Sequence, residues 1–415
     1  MININSLINR NRLGEQTGLP CFCTANEFVI RAIIKYAVAH NAPTVIEATC
    51  NQVNQDGGYT GMSPDEFAKW IKALSKEFDL GENNLILGGD HLGPNPWRHL
   101  SAEEAMAKAE ILVRDYVKAG FRKIHIDTSM ACQGDTNLSF KTIAERAARL
   151  CKVAEVHAPV PDDLIYIIGT EVPIPGGETD DMDDLAVTTV DRLQDTLDTH
   201  RDAFQARGLD SVWPRIVSVV TQPGVDFSHT AIHRFKPDDA ADLSKAIAHI
   251  PNMTFEAHST DYQPTEALSE LVAKHFFFLK VGPELTFRMR EAVFALASIE
   301  QQISESPSEL IRTITETMDQ NPSHWSSYYQ GDAKEIQLLR QYSYSDRIRY
   351  YWAVPEVKVA LDQLINNLRK SALPETLVSQ HFSAREFGNL VASPQELIMD
   401  HVQLCVERYY KACGY

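Results

Sequence analysis

Eight short apolar runs recur along this chain up to about residue 281, and a segment with helical periodicity follows each of them. Cores such as VIEAT, IYIIGT, IVSVVT and FFFLKV are apolar almost throughout. Strands buried on both faces have this pattern, whereas one-sided antiparallel strands alternate apolar and polar residues. We therefore predict parallel strands at Leu19–Cys23, Thr44–Thr49, Asn84–Gly89, Lys123–Asp127, Leu164–Gly169, Arg215–Thr221, Met253–Ala257 and Phe276–Val281.

Polar and small residues cluster directly after several of these strands, as in Asp90-His91 and His258-Ser-Thr-Asp261. In a closed parallel barrel the carboxyl ends of all strands open on one face, so residues far apart in sequence meet there. A doubly wound sheet also alternates strands and helices, but it gathers fewer strand ends at one crevice. The pattern favours an α/β fold, a (β/α)8 TIM barrel, over residues 1–305.

The alternation of strands and helices stops after about residue 305. Residues 306–415 are helical in pattern and rich in aromatic residues, as in SYSDRIRYYW (343–352). We predict a helical C-terminal extension that packs on the barrel or serves assembly, for instance into a homo-oligomer.

The composition limits the function in three ways. A formal net charge of −17 argues against nucleic-acid binding and requires that any phosphorylated substrate be held by a local positive pocket. Neither a signal peptide nor a membrane span is evident, because no apolar stretch approaches 18 residues. Seven cysteines without framework spacing indicate reduced thiols in a cytoplasmic protein.

Two histidines follow predicted strands, His91 in GGDHLGPN and His258 in FEAHSTD. Imidazoles on rigid strand ends suit Zn²⁺ or a similar divalent ion, and a carboxylate often completes the ligand set. Glu171, after the fifth strand, is a candidate carboxylate, and Gln222, after the sixth, could contribute an oxygen. A single histidine of this kind is more often a rim residue, but the four together favour a metal site, with zinc as the expected ion.

Three carboxylates are candidates for proton transfer. Adjacent strand residues point to different sides, so we expect His91 to bind the ion while Asp90 faces the substrate, although a turn aspartate fits the local sequence equally well. Asp127 in KIHIDTS either takes part by orienting a ligand histidine or caps the next helix. The loop at 173–184 either closes over the site as a lid carrying Glu178 or is a solvated acidic loop.

A phosphate site is only weakly indicated. The chain has no Walker A motif and no G-x-G-x-x-G after a strand. In TIM barrels the loops after the last two strands often bind phosphate through backbone N–H groups beside a helix N-terminus. The candidates there are Ser259, Thr260, Asp261, Lys280 and Gly282. Arg347 and Arg349 are further candidate phosphate clamps, although arginines in a helical tail are more often structural.

With these residues assembled, the chain resembles the GatZ/KbaZ family, the second subunit of bacterial class II D-tagatose-1,6-bisphosphate aldolases. The resemblance covers nearly the whole chain. It rests on IEATCNQVNQDGGYTGM (46–62), LGGDHLGPNPW (87–97), AGFRKIHIDTSMACQGD (119–135), GTEVPIPGGE (169–178), QPGVDF (222–227), EAHSTDYQ (256–263), LKVGPELTF (279–287) and SYSDRIRYYW (343–352).

The resemblance implies roles taken from the related catalytic aldolase subunits. Asp90 and His91 match an acid/base and zinc-ligand pair, and Asp127 matches an aspartate after the fourth strand. Glu171 with the Gly-Gly-Glu178 segment matches a zinc-side glutamate and a lid, and His258 matches a further ligand. The chain departs from those subunits at Gln222, where they have a histidine, and in its altered phosphate loop.

Two functions follow from the family. One is a partner subunit that supports a class II aldolase catalytic subunit in galactitol or N-acetylgalactosamine catabolism. The other is a metal-dependent 4-epimerase that interconverts tagatose and fructose 6-phosphates by retro-aldol chemistry. A third alternative is a barrel that binds a sugar phosphate without catalysing a reaction. A kinase is not supported, because the sequence has no nucleotide-phosphate loop.

Overall fold

The computed structural model describes residues 2–170, 185–382 and 392–415. Its strands are β1 (Leu19–Cys23), β2 (Thr44–Thr49), β3 (Leu85–Leu92), β4 (Lys123–Ile126), β5 (Ile165–Ile168), β6 (Ile216–Val220), β7 (Asp226–Phe227), β8 (Ile232–His233), β9 (Thr254–Ala257) and β10 (Phe276–Val281). Strands β7 and β8 pair with each other as a short antiparallel hairpin. The other eight form a closed parallel barrel in the order β1-β2-β3-β4-β5-β6-β9-β10. The predicted (β/α)8 fold is confirmed.

Helices surround the barrel and continue into the extension. They are α1 (Ile4–Arg12), α2 (Glu27–His40), α3 (Pro64–Glu77), α4 (Ala102–Ala119), α5 (Phe140–His157), α6 (Val190–Ala206), α7 (Ala241–Ala248), α8 (Thr265–Ala273), α9 (Pro283–Ile303), α10 (Leu310–Gln320), α11 (Ala333–Tyr342), α12 (Pro355–Lys370), α13 (Glu375–His381) and α14 (Pro394–Ala412). Among the residues that the structure describes, none of these helices combines the length and apolar character that a membrane crossing needs.

Local signals explain where the helices begin and end. Ser101 caps α4 in a capping box with Glu104, so two otherwise unpaired backbone N–H groups are satisfied. The helix ends at Gly120, whose φ of 92° is accessible to glycine at little cost.

The amino end of the barrel is filled by apolar side chains and closed by α1. Ile4 and Ile8 of that helix pack against Val45, Ile86 and Phe277 inside the barrel. Because this end is plugged, the interior opens only at the carboxyl ends of the strands, where polar residues collect.

The extension shares its core with the barrel. Helix α14 packs against α2, α8 and α9 at the same time. Tyr409 OH donates to Thr260 O at 2.8 Å, and the rings of Tyr410 and Phe22 lie 5.5 Å apart. The part of the extension that the structure describes is therefore joined to the barrel wall, and the boundary at residue 305 stays a prediction.

Candidate active site

Four buried side chains converge at the carboxyl end of the barrel. Asp90, His91, His125 and His258 each offer one ligand atom, and these atoms all lie within 4.8 Å of one another. The centroids of the three imidazole rings are 4.9 to 5.0 Å apart in every pairing. Three histidines from different strands are thus arranged around one point, with a carboxylate beside them.

An irregularity in β3 places two neighbouring residues at the same point. His91 has a φ of 48°, and the pairing of β3 with β4 shifts between Gly89 and Leu92. His91 Nε2 consequently lies 3.8 Å from Asp90 Oδ2. We expected these two side chains to point to different sides of the strand. That expectation is wrong, because the left-handed residue interrupts the alternation of a regular strand.

His125 belongs to this group although the sequence analysis did not single it out. It lies two residues from both Lys123 and Asp127, so the alternation along β4 directs all three into the barrel. Its Nδ1 is 2.9 Å from Asp90 Oδ1, while its Nε2 is buried and has no hydrogen-bond partner in the part of the chain that the structure describes. His125 could have been predicted from Asp127, because residues two apart on a strand point to the same side.

The other two histidines are held by carboxylates. His91 Nδ1 lies 2.8 Å from Asp127 Oδ2, and His258 Nε2 lies 2.9 Å from Glu256 Oε1. Each contact fixes the ring and leaves its second nitrogen available, which is the usual environment of a metal-ligating histidine. The contact between Asp127 and His91 supports the orienting role, one of the two considered for Asp127, and that role stays a prediction.

A buried ionic network lies directly beneath the histidines. Lys123 Nζ is 2.7 Å from Glu47 Oε1 and 2.5 Å from Glu256 Oε2, and Lys280 Nζ is 2.7 Å from Asp90 Oδ1 and also contacts Glu47. A Cβ at Gly88 would lie 2.6 Å from Glu47 Oε1, so only glycine leaves room for that carboxylate. The network supplies charge to the floor of the site.

The charges of this region fit a divalent cation. Two ammonium groups face four buried carboxylates, those of Glu47, Asp90, Asp127 and Glu256. Burial opposes protonation of His91, but Asp90 and Asp127 raise its pKa, and even a protonated His91 leaves an excess of negative charge that a bound cation would offset. The three converging imidazoles fit Zn²⁺ or a similar ion, and Nε2 of His125 has no hydrogen-bond partner among the described residues.

The pKa values reflect the same environment. Burial opposes ionisation of Asp90, but His91 and Lys280 outweigh it and hold the Asp90 pKa well below its usual range. Burial likewise opposes protonation of Lys280, whose pKa is nevertheless raised by Asp90 and Glu47. For His258, burial dominates and lowers the pKa to about 3. At neutral pH the site thus holds an ionised Asp90, a charged Lys280 and a neutral His258.

Gln222 does not join the cluster. Its Oε1 accepts hydrogen bonds from the backbone N–H groups of Gly224 and Val225, both at 2.9 Å. The amide oxygen that we expected to approach an ion is used to fold its own loop. The third nitrogen ligand position is offered by His125 instead.

The expected phosphate turn is also occupied by protein groups. Asp261 Oδ1 accepts from the N–H groups of Gly282 and Glu284, at 3.0 and 2.8 Å, and so fills the N-terminus of α9. Thr260 Oγ1 donates to Lys280 O at 2.5 Å. The polar groups of Asp261, Thr260 and Gly282 are therefore bonded to other protein groups. This corrects our expectation that these residues bind phosphate.

Of the other candidates, Lys280 and Ser259 line a large cavity above the cluster, and Lys280 contacts Asp90 directly. Glu171 and Glu178, with the proposed lid at 173–184, lie outside the described residues, so their roles stay predictions.

The cavity has a volume of about 1110 Å³, and Asp90, His91 and His258 lie at its floor. One wall comes from the loops of the barrel, and the opposite wall comes from the extension, including Arg347 and Arg349. The extension thus lines the site as well as packing on the barrel. A volume of this size accommodates a small ligand such as a sugar phosphate.

Fold and site together define a (β/α)8-barrel protein with a metal-competent group at the end of the barrel where such proteins bind their substrates. The comparison with protein families then gives the narrower assignment. Residues 4–414 match the family described as D-tagatose-1,6-bisphosphate aldolase subunit GatZ/KbaZ-like, and the chain belongs to that family.

One solved structure is similar to this chain over nearly its whole length, and a second is similar at a much lower level. A probable tagatose 6 phosphate kinase from Sinorhizobium meliloti 1021 is 43% identical, with a TM-score of 0.88 over 95% of this chain and 100% of that one. The YdjI aldolase from Escherichia coli K12 is 9% identical, with a TM-score of 0.42 over 86% of this chain and 96% of that one. The similarity to the YdjI aldolase is too low to indicate a substrate or a mechanism for this chain.

Proposed function

We propose that this protein is a metal-dependent ketose-phosphate 4-epimerase that interconverts tagatose and fructose 6-phosphates by retro-aldol and aldol steps at its own site. The observation that carries the proposal is the buried group of His91, His125, His258 and Asp90, of which Asp90, His91 and His258 line the floor of the cavity. Membership in a family of tagatose-bisphosphate aldolase subunits supports the choice of tagatose phosphates. A subunit with only a structural role would not need a buried proton acceptor beside three converging imidazoles.

The ion that fits this donor set, with zinc as our first expectation, would polarise the substrate's carbonyl and hydroxyl oxygens when bound. Asp90 is ionised at neutral pH and can accept the proton of the C4 hydroxyl. Lys280 keeps its proton beside Asp90 and can stabilise negative charge that develops on the C2 oxygen.

The bond changes balance without an external reagent. As the C4 hydroxyl proton passes to Asp90, the C4–O bond becomes a carbonyl, the C3–C4 bond breaks, and its electron pair forms an enediolate at C2 and C3. A three-carbon aldehyde phosphate is the other fragment. If the aldehyde presents its opposite face, re-formation of C3–C4 and return of the proton give the C4 epimer.

Containment of the two fragments is what separates an epimerase from an aldolase. The cavity is covered on one side by the extension, with Tyr328, Tyr350 and Trp352 among its lining residues. Such a covered cavity favours recombination of the fragments over their release, because both must pass the same opening to leave.

The test is a ¹³C NMR time course with labelled tagatose 6-phosphate and the metal-loaded protein. We expect fructose 6-phosphate to appear, and we expect Asp90→Asn and His125→Ala to lower the rate at least a hundredfold. His249→Ala, a change at an exposed histidine outside the cavity, is the matched control and should keep the rate. Full turnover by Asp90→Asn would rule out this mechanism.

A second candidate is favoured by the family description itself, which is that of an aldolase subunit. In that role the chain would bind a catalytic class II aldolase subunit and raise its cleavage of tagatose 1,6-bisphosphate. Size-exclusion chromatography of the mixed subunits and a coupled cleavage assay test this. A stable complex with enhanced cleavage, and no epimerisation by the chain alone, would favour this role over the first.

A further inference from the structure

A phosphate group has to be recognised locally on this protein. The chain carries a net charge of −17, so its surface as a whole repels a phosphate dianion. The helix N-terminus that a barrel of this kind usually offers is filled by Asp261, whose carboxylate accepts the N–H groups of Gly282 and Glu284. A substrate phosphate therefore needs cationic groups elsewhere in the same cavity.

Two arginines of the extension meet this need. Arg347 and Arg349 lie in the 3₁₀ turn Arg347–Tyr351 and line the cavity opposite the barrel loops. Arg347 is only 5% exposed. Within residues 2–170, 185–382 and 392–415, neither guanidinium lies within ion-pair distance of a carboxylate. Arg349 is half-buried, and arginines at such depths usually have a carboxylate partner, so two without one in a cavity indicate an anionic ligand.

Neutral groups of the protein hold both side chains in place, and these contacts do not neutralise the positive charge of either guanidinium. Arg347 Nε donates to His324 O, and its guanidinium lies 3.3 Å from the centroid of the Tyr328 ring. Arg349 Nη1 donates to the carbonyl oxygens of Ser345 and Asp346, and its Nη2 lies 3.0 Å from Tyr350 OH.

These contacts leave donors for a ligand. A guanidinium has five N–H groups, and toward the described residues Arg347 donates only the one on Nε. The N–H groups of both its terminal nitrogens remain, in the fork that matches two phosphate oxygens. The side chains are thus fixed beforehand, which lowers the entropy lost when an anion binds.

The arginines are connected to the proposed reaction centre through one wall of the cavity. Cys23 Sγ lies 3.4 Å from Asp90 Oδ2 and 3.6 Å from Gln52 Oε1. Tyr59, a few residues along the same loop, contacts the Tyr350 ring edge-on with centroids 4.7 Å apart. The residues that would handle C4 and the two arginines therefore face one continuous space.

We propose that Arg347 and Arg349 form the subsite for the substrate's phosphate group, so that the extension selects phosphorylated over free ketoses. The identity of the ketose rests on the function proposed above, whereas the binding of a phosphate here does not. The barrel would thus carry out the chemistry, and the extension would recognise the phosphate.

Calorimetric titration with inorganic phosphate tests the subsite. The full-length protein should bind phosphate, and Arg347→Gln and Arg349→Gln should each weaken binding about tenfold to a hundredfold. Arg312→Gln is the matched control, because Arg312 is an exposed arginine of the extension paired with Glu316. Absence of phosphate binding by the unchanged protein, or unchanged affinity in Arg347→Gln, would overturn the proposal.

A second measurement needs no variant, in case Arg347→Gln fails to fold. Phenylglyoxal modifies accessible arginines, and peptide mapping reports each site. Arg349 is the less buried of the two arginines, so its modification is the one to follow. Inorganic phosphate should protect Arg349 but not Arg312, and equal modification of Arg349 with and without phosphate would contradict the subsite.

Failure of the two proposals can be told apart. His91→Ala disrupts the metal-competent cluster and should abolish epimerisation while keeping the affinity for inorganic phosphate. If phosphate binding depends on Arg347 but no ketose phosphate is epimerised, the subsite stands and the proposed reaction is wrong. If epimerisation occurs equally well on free tagatose and on its 6-phosphate, the subsite is wrong and the reaction stands.

Discussion

Lys123 is the residue whose replacement tests the buried ionic network most directly. It is fully buried, and its Nζ lies between Glu47 Oε1 at 2.7 Å and Glu256 Oε2 at 2.5 Å. Lys123→Met keeps a side chain of similar length but removes the charge. Glu47 would retain Lys280, whereas Glu256 would keep only the neutral His258 in contact among the described residues.

The cost follows from that asymmetry. Removing one partner of a buried ion pair leaves an uncompensated charge, which costs about 3–5 kcal/mol of the free energy of unfolding. For a chain of 415 residues this corresponds to a fall in melting temperature of roughly 3–6 °C. A second change, Glu256→Gln, removes the uncompensated charge, so the double variant should be more stable than Lys123→Met alone.

Urea unfolding at pH 7.5, followed by far-UV circular dichroism, measures these differences. Lys69→Met serves as the matched control, because Lys69 forms an exposed pair with Asp65 and its loss should leave stability unchanged. The reasoning fails if Lys123→Met costs less than about 1 kcal/mol, or if the Lys123→Met and Glu256→Gln losses simply add.

Three further outcomes are expected. His125→Ala should weaken Zn²⁺ binding by about tenfold to a hundredfold in chelator competition. An unchanged affinity would show that His125 is not a ligand. Burial, with the neighbouring Glu284, raises the pKa of Asp261 to about 7. The contribution of Asp261 to stability is therefore fully present below the unfolded pKa near 4 and is lost as the pH rises through 7. Asp261→Asn should therefore stabilise more at pH 8 than at pH 5, by on the order of 2–4 kcal/mol in urea unfolding, and an equal effect at both pH values would contradict this. Tyr409→Phe, which deletes a buried donor to a backbone oxygen, should cost about 1–2 kcal/mol in the same assay, whereas Tyr342→Phe at an exposed position should cost less.

The barrel could be predicted from the sequence because its strands are buried on both faces. Leu19–Cys23, Thr44–Thr49 and Phe276–Val281 agree with the structure residue for residue. The third strand ends later than predicted, at Leu92, because Asp90 remains paired with Thr49 despite its polarity and Leu92 pairs with Ile126. Apolar content therefore locates a barrel strand but misses polar residues at its functional end.

The site could be predicted only in part. His91 and His258 were found because each follows an apolar run, whereas His125 lies inside one and looks like part of a core strand. The loss of alternation at His91 depends on a single backbone angle, which sequence pattern does not report. The capping of α9 by Asp261 depends on side-chain geometry across two loops. From the sequence alone, the same residues are therefore predicted to bind phosphate.

The position of α14 has a consequence for how the chain reaches its native state. This helix, at residues 394–412, packs against α2, at residues 27–40, so the two are separated by more than 350 positions. During synthesis the wall beside β1 stays uncovered until nearly all of the described chain has left the ribosome. Contacts of such high sequence separation slow folding and expose apolar surface in the meantime. Nascent chains stalled before α14 should therefore be bound by chaperones and cut readily by proteases, whereas chains that include it should resist both.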